Sequence, residues 1–297
     1  MISPLRLLKL AVTIAFLLFK TSLFSQNLDS ILTQIAFNHN AMGAATVVFC
    51  ETDILHEHYI GYSDAQRGIK VNPDTYFRVA SISKLITAIA FMQLVEENEV
   101  SLDQSIHSIL GYAPINPAYP NINLTPRMLL SHTSSIIDGP GYSSFLQASV
   151  GQNPIPDLSE ILLPSGSFYH SGQFNAVEPG SYFNYSNLNY VILGTLIEKI
   201  SGMRFDAYCR QTIFEPLNLD ASFNVNDLDS LDLLAVLYRK VGGVWQPQAD
   251  DFQGIQPVHT NLDNYLPGTN AGRWGPQGSL RIKASDLARL LQFFLQD

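Results

Sequence analysis

The stretch that decides the fold is FRVASISKLITAIAFMQLVEENEVSLDQ, residues Phe77–Gln104. Most of it is typical of one helix, because apolar residues recur on almost every side. The segment carries a single lysine, Lys84. A cationic ammonium in a segment suited to a protein core predicts a specific polar partner nearby.

That partner is Ser81, three residues before Lys84, in an S-x-x-K arrangement. Residues three apart share a helix face, and Ser81 would sit at the helix N-terminus, where developing negative charge is favoured. A partly desolvated lysine could take the serine proton or hold it electrostatically. The residues alone leave a second interpretation open, in which Lys84 reaches water and Ser81 only caps the helix.

A second polar group could come from a Y-x-N pattern, which occurs three times, at Tyr119–Asn121, Tyr182–Asn184 and Tyr185–Asn187. The first has Pro120 at its centre, in a proline-rich loop. The third comes just before a strongly amphipathic helix, Asn187–Gly202, and would be held by it. A tyrosine near a cationic lysine can act as acid or base. The alternative is that these tyrosines simply pack in the core.

Composition excludes several functional classes. The 297-residue chain is 46% hydrophobic and 14% charged, which is typical of a globular protein with a sizeable core. Its formal charge is −9 and no basic cluster occurs, so we expect no nucleic-acid partner. His56 and His58 share one strand face, but no further ligands accompany them. We therefore interpret that face as solvated and expect no metal and no cofactor.

The first 25 residues have the pattern of a secretory signal. Arg6 and Lys9 precede the apolar run Leu10–Phe19, and the small residue Ser25 stands before Gln26. A membrane anchor is the alternative, but a bilayer span needs about 20 apolar residues. We expect residues 1–25 to be a cleaved signal peptide and the mature chain, 26–297, to be periplasmic or secreted without a stable membrane span.

Export would permit a disulfide between Cys50 and Cys209, the only two cysteines. Two cysteines do not make a disulfide framework, so we favour two buried free thiols.

The remaining pattern predicts one domain in which helices surround a few strands. No repeat, low-complexity segment or linker interrupts it, although residues 111–180 are rich in proline and predict loops. The other predicted elements are an opening helix over Leu28–Asn40, a hairpin over residues 43–64, a short helix with Thr125 as N-cap and Pro126 at its first position, a hairpin around Gly242 and Gly243, and a last helix with Ser285 as N-cap.

Taken together, these segments resemble the penicillin-recognising serine hydrolases of the class C β-lactamase type, which include D-Ala-D-Ala carboxypeptidases and esterases. The segments that carry the resemblance are DTYFRVASISKLITAIAFMQLVEENEVSLDQSI (74–106), LTPRMLLSHTSSI (124–136), the stretch from PGSYFNYSNLNY to FEPLNL (179–219) and WGPQGSLRIKASDLARLLQF (274–293). They keep the family's order over roughly residues 28–297, which is far more specific than any tripeptide.

The resemblance implies an α+β, β-lactamase/transpeptidase-like fold, with an antiparallel sheet flanked by helices and a helical region beside it. It implies that Ser81 is the acylated nucleophile, that Lys84 activates it, that Tyr185 passes the proton to the leaving group, and that Asn187 hydrogen-bonds Lys84 or the substrate. The implied function is an exported, monomeric serine hydrolase that acts through an acyl-enzyme on a β-lactam, a D-Ala-D-Ala peptide or a small ester.

The sequence departs from the family pattern near its last residue. The family's third motif, [KH]-[TS]-G, lies on a strand that would follow Asp297, and the last helix reaches Asp297 with no glycine or basic residue in its final turn. We therefore expect a C-terminally truncated chain that lacks the final strands. The alternative function is a non-catalytic or fragmentary relative that only binds a peptide or glycan.

Overall fold

The computed structural model describes residues 27–151, 154–257 and 265–295, which form two compact units. The first unit contains residues 27–76, 232–253 and 283–295, and the second contains residues 77–151, 154–231, 254–257 and 265–282. The signal peptide expected over residues 1–25 lies outside the described residues.

Helices and strands follow one another as an α+β fold, as predicted. The strands are β1 (Gly43–Phe49), β2 (Ile54–Asp64), β3 (Ile69–Lys70), β4 (Tyr76–Arg78), β5 (Ala221–Ser222), β6 (Leu237–Val241), β7 (Val244–Ala249) and β8 (Arg281–Lys283). The helices are α1 (residues 27–38), α2 (Ser83–Glu96), α3 (His107–Leu110), α4 (Pro126–Leu130), α5 (Tyr142–Gly151), α6 (Ser159–Leu162), α7 (Asn187–Ser201), α8 (Phe205–Cys209) and α9 (Ala284–Phe293).

The first unit is built on antiparallel hairpins. Strands β1 and β2 pair from Gly43 opposite Gly61, and β3 continues the sheet beside β2. Strands β6 and β7 form the second hairpin, where Gly242 and Gly243 have φ of 58° and 86°. Glycine adopts this left-handed backbone at no steric cost, which suits a tight turn. The observed strand pairings confirm both predicted hairpins.

The second unit is organised around α7. Every residue of α7 from Leu188 to Glu198 is buried, and the helix ends at Gly202, whose φ is 70°. Gly194 allows Pro276 to pack closely against α7, because a Cβ at this position would lie 2.8 Å from Cγ of Pro276. The predicted boundary of this helix and its glycine cap are confirmed.

Strands β5 and β8 pair antiparallel in the sheet with the order β4-β8-β5. Beside them, the amide of Val79 donates to the carbonyl oxygen of Leu280 at 3.0 Å. This bond fixes Val79, the residue directly before the 3₁₀ turn Ala80–Ile82.

Four sequence expectations need correction. Ser81, expected at the N-terminus of the long helix, lies instead on a 3₁₀ turn, Ala80–Ile82, that precedes α2. The last helix begins at Ala284 directly after β8, so Lys283 and not Ser285 holds the N-cap position. The region 111–180, expected to be rich in loops with one short helix, also contains α5. Cys50 and Cys209 are free thiols, but Cys50 is only half-buried.

Candidate active site

Ser81 lies on the 3₁₀ turn before α2, with its side chain exposed. The preceding residue, Ala80, has φ of 46°, a left-handed conformation that costs an L-residue roughly 1–2 kcal/mol. Such strain is found where a chain must present one side chain in a fixed direction. The turn therefore holds Ser81 at the surface, one turn ahead of Lys84.

Lys84 is buried, with only 6% of its surface exposed, and its ammonium has three acceptors. Nζ donates to Oδ1 of Asn187 at 2.8 Å, to the carbonyl oxygen of Gln277 at 2.7 Å and to Oγ of Ser81 at 3.4 Å. It also lies 4.8 Å from the ring centroid of Tyr185. Three acceptors match the three N–H donors of an ammonium, so the partner predicted for the lysine is present.

Tyr185 provides the shortest contact to the serine. Its hydroxyl lies 2.7 Å from Oγ of Ser81, and 44% of the residue is exposed. The ring packs against the imidazole of His132, with centroids 4.6 Å apart. The hydroxyl is therefore directed at the serine while one side of the residue stays open to solvent.

His132 supports this ring and is itself buried, with φ of 57°. Its Nδ1 accepts a hydrogen bond from the amide of Ser186 at 3.2 Å. Burial lowers the pKa of the His132 imidazole, and the positive charge of Lys84 lowers it further. A neutral imidazole that accepts at Nδ1 can pack against Tyr185 without adding a second positive charge to the site.

Asn187 is the first residue of α7, and its side chain is held between two charged groups. Oδ1 faces Lys84, while Nδ2 donates to Oδ2 of Asp138 at 2.7 Å. The amide of the following residue, Leu188, donates to Oδ1 of Asp138 at 2.9 Å. Asp138 lies in the loop between α4 and α5.

Residues 276–280 complete the site by bringing a backbone carbonyl to Lys84. Polar side chains on α2 hold this segment: Oγ1 of Thr87 donates to the carbonyl of Pro276 at 2.8 Å, and Oγ of Ser83 accepts from the amide of Leu280 at 3.0 Å. The carbonyl of Gln277, between these two anchors, is thereby fixed against the lysine ammonium.

The far end of α7 is tied to the chain segment that leads to Gln277. The buried carboxylate of Glu198 accepts from Tyr265 Oη at 2.6 Å, from the amide of Gly268 at 2.8 Å and from Trp274 Nε1 at 2.9 Å. Burial raises the pKa of Glu198 to about 7, against these hydrogen bonds, which lower it.

The structure brings together all four residues that the sequence singled out: Ser81, Lys84, Tyr185 and Asn187. Tyr182, in the neighbouring Y-x-N, is 60% exposed. Sequence reasoning assigned no role to His132, Asp138 or Gln277. His132 belongs to the segment LTPRMLLSHTSSI (124–136), where the family resemblance was a usable signal, whereas Asp138 lies two residues beyond it and a backbone carbonyl such as that of Gln277 leaves no signature in a sequence.

The two histidines of β2 have an intramolecular partner instead of a ligand set. Nε2 of His56 and Nδ1 of His58 lie 2.8 and 3.0 Å from Oδ1 of Asp29, on α1. Across the described ranges, no group of three or more His, Cys, Asp or Glu side chains is arranged to hold a metal ion. Nor does any helix in those ranges have the length and apolar character needed to cross a bilayer.

Comparison with known proteins shows the family of this chain. A family model described as Beta-lactamase matches residues 28–297. The chain is 27% identical over 277 residues to penicillin-binding protein 4* of Bacillus subtilis (strain 168), covering 92% of this chain and 56% of that protein. It is 26% identical over 274 residues to penicillin-binding protein 4 of Amycolatopsis lactamdurans, covering 92% of this chain and 64% of that protein.

A solved structure has the same fold. The octameric penicillin-binding protein homologue from Pyrococcus abyssi superposes with a TM-score of 0.69 at 25% identity, over 91% of this chain and 56% of that one. The chain thus spans between half and two thirds of the length of these relatives. The predicted fold class and the resemblance that implied it are confirmed.

Proposed function

This chain belongs to the Beta-lactamase family, and on that premise we propose that it is a serine hydrolase that cleaves amide or ester bonds through an acyl-enzyme. The observation that carries the proposal is the contact set of Ser81, whose Oγ lies 2.7 Å from the hydroxyl of Tyr185 and 3.4 Å from Nζ of Lys84. An exposed serine beside a base and a cation has the arrangement of an activated nucleophile.

The proposed acylation starts with Tyr185 deprotonated: Oγ of Ser81 bonds to the carbonyl carbon while its proton passes to the phenolate oxygen of Tyr185. The bond to the leaving group then breaks, and Tyr185 returns the proton to the departing amine or alcohol. Deacylation repeats these steps with water as the nucleophile. A proton passes from the water to Tyr185 and then to Oγ of Ser81, and the acyl group leaves as a carboxylic acid.

Lys84 acts in this scheme as a fixed cation. Its three acceptors, in Asn187, Gln277 and Ser81, occupy the donors of an ammonium, which favours electrostatic stabilisation over proton abstraction by a neutral amine. Its position 4.8 Å from the Tyr185 ring centroid places positive charge beside the phenolate that forms in each cycle. The amide of Ser81 is the proposed oxyanion donor.

The test is hydrolysis by the full chain and by Ser81→Ala, with a p-nitrophenyl ester, a D-alanyl-D-alanine peptide and a penicillin as substrates. We expect turnover of at least one substrate and its complete loss in Ser81→Ala. Equal ester hydrolysis in both chains would refute the assignment of Ser81. Peptide turnover would identify a cell-wall peptide substrate, penicillin turnover would identify a β-lactamase, and turnover of the ester alone would identify an esterase.

We also propose that the protein is exported and monomeric. The positively charged start, apolar run and small residue at Ser25 support export. N-terminal sequencing of protein from the cell envelope should begin at Gln26, and an intact Met1 would contradict this. Light scattering should give a mass near that of one chain, whereas a mass eight times larger would match the assembly named for the Pyrococcus abyssi homologue.

A further inference from the structure

The N-terminus of α7 is capped by a side chain that is distant in sequence. Its N-cap residue, Ser186, makes no side-chain cap bond of its own. Instead, Asp138 accepts hydrogen bonds from Ser186 Oγ at 3.0 Å and from the amides of Asn187 and Leu188 at 3.1 and 2.9 Å. A carboxylate at this helix end is favoured by the free N–H groups and by the helix dipole.

A fourth bond connects this cap to the catalytic centre. Oδ2 of Asp138 also accepts from Nδ2 of Asn187 at 2.7 Å, so both oxygens of the carboxylate have two donors. The amide of Asn187 is thereby oriented with its nitrogen toward Asp138, which leaves Oδ1 facing Nζ of Lys84 at 2.8 Å. A rotated amide would present N–H groups to an ammonium that has only donors.

We infer that Asp138 is a positioning residue for hydrolysis: it fixes the orientation of the Asn187 amide and, through that amide, the position of the Lys84 ammonium beside Ser81. The inference rests on the proposed serine-hydrolase function. It assigns a task to a carboxylate that acts on the site through its hydrogen bond to Asn187.

A helix cap alone would also explain the three bonds to Ser186, Asn187 N and Leu188 N, but it would not require the fourth. The two roles differ in what depends on Asn187. If Asp138 only stabilises α7, its removal lowers the melting temperature, and the rate for the folded fraction is kept. If Asp138 orients the Asn187 amide, its removal lowers the rate well below the melting temperature, and only while that amide is present.

The experiment compares pre-steady-state acylation of the full chain by a p-nitrophenyl ester in a double-mutant cycle of Asp138→Ala and Asn187→Ala. We expect Asp138→Ala to slow acylation on the order of 100-fold, the effect of a small misplacement in a catalytic site. In the Asn187→Ala background, the same substitution should change the rate less than threefold. Asp138→Asn, which keeps one acceptor oxygen, should recover part of the rate.

Ser186→Ala is the matched control, because it removes one of the four bonds to Asp138 without touching the Asn187 amide. It should lower the melting temperature slightly and leave the acylation rate unchanged. Equal rate losses from Asp138→Ala in the presence and absence of the Asn187 amide would overturn the inference, since the effect would then not pass through that amide.

A second readout separates this inference from the proposed function. The side-chain amide of Asn187 can be assigned in a ¹H–¹⁵N spectrum as the peak that Asn187→Ala lacks, and it should shift in Asp138→Ala but not in Ser186→Ala. A peak that does not move would overturn the inference even if Ser81 is acylated. If the wild-type chain is never acylated, the hydrolase proposal fails, and the amide peak alone decides whether Asp138 orients Asn187.

Discussion

Substitution of Tyr185 by phenylalanine removes one oxygen atom from the centre of the site and little else. The hydroxyl lies 2.7 Å from Oγ of Ser81, while the ring packs 4.6 Å from the imidazole of His132 and 4.8 Å from Nζ of Lys84. Phenylalanine keeps both ring contacts. Because 44% of the residue is exposed, water can satisfy Oγ of Ser81 in the variant, so we expect little change in stability.

The rate should fall steeply, because the variant lacks the oxygen, 2.7 Å from Oγ of Ser81, that takes the serine proton in the proposed mechanism. General acid–base catalysis contributes about 100- to 10,000-fold, which corresponds to roughly 3–5 kcal/mol of activation free energy. An amide substrate should lose more than a p-nitrophenyl ester, since an amine leaving group needs a proton and p-nitrophenolate does not. A loss confined to kcat would place the effect in the transition state.

The neighbouring Tyr182→Phe is the matched control. It makes the same chemical change in the near-identical tripeptide three residues earlier, on a side chain that is 60% exposed. We expect Tyr182→Phe to hydrolyse both substrates like the wild-type chain, with both variants melting within about 2 °C of it. Rates for Tyr185→Phe within threefold of wild type, or equal losses in the two variants, would refute the assignment of Tyr185 as the proton carrier.

Three further predictions concern the lysine, the buried glutamate and the packing of α7. Lys84→Met should lower hydrolysis on the order of 100- to 1,000-fold while circular dichroism shows a folded chain, because a preorganised cation is lost; wild-type activity would contradict this. Burial raises the pKa of Glu198 from 4.5 to about 7. Between these two pH values the folded chain keeps a proton that the unfolded chain loses. The stabilisation from this proton is complete below about pH 4.5 and is lost as pH rises through 7. Urea unfolding at pH 5 to 8 should show this decline, and Glu198→Gln should remove it; an unchanged slope would refute the prediction. In Gly194→Ala the new Cβ would lie 2.8 Å from Pro276 and 3.0 Å from Ala271. Such overpacking costs roughly 1–3 kcal/mol, at least as much as the ~1 kcal/mol that alanine gains over glycine in a helix. The melting temperature should therefore fall, and a rise would contradict the close contact.

The proximity of the four candidate site residues was predictable because two of them are local in sequence and two lie at the start of one helix. Ser81 and Lys84 are three residues apart, so helical geometry alone predicts that they meet. The choice of Tyr185–Asn187 over Tyr182–Asn184 depended on the helix that begins at Asn187, and that helix is present and is buried from Leu188 to Glu198. The pairing of these two motifs, about a hundred residues apart, came from the family resemblance and not from spacing.

What sequence reasoning missed depends on contacts that local patterns do not encode. The carbonyl of Gln277 reaches Lys84 only because Thr87 and Ser83 fix the segment on either side of it. Asp138 caps a helix that begins 49 residues later. Helix α5 follows directly after Pro140 and Gly141, and this context favoured a loop, although its buried Tyr142, Phe145 and Ala148 recur with a helical period.

The N-cap of the last helix was misplaced for a related reason. Ser285 is a good capping residue, but strand β8 ends at Lys283 with extended dihedral angles, and the helix begins at once at Ala284. The start of the helix is therefore set by the end of strand β8 and not by the capping preference of Ser285. The hairpin at Gly242 and Gly243 was predicted correctly because there the turn residues themselves set the register.

The central claim is that Ser81 is a nucleophile, and intact-mass spectrometry after treatment with a fluorophosphonate tests it most directly. The full chain should gain the mass of one phosphonyl group, peptide mapping should place it on Ser81, and Ser81→Ala, folded by circular dichroism, should gain none. A folded wild-type chain that gains no mass, or an adduct that persists in Ser81→Ala, would contradict the account.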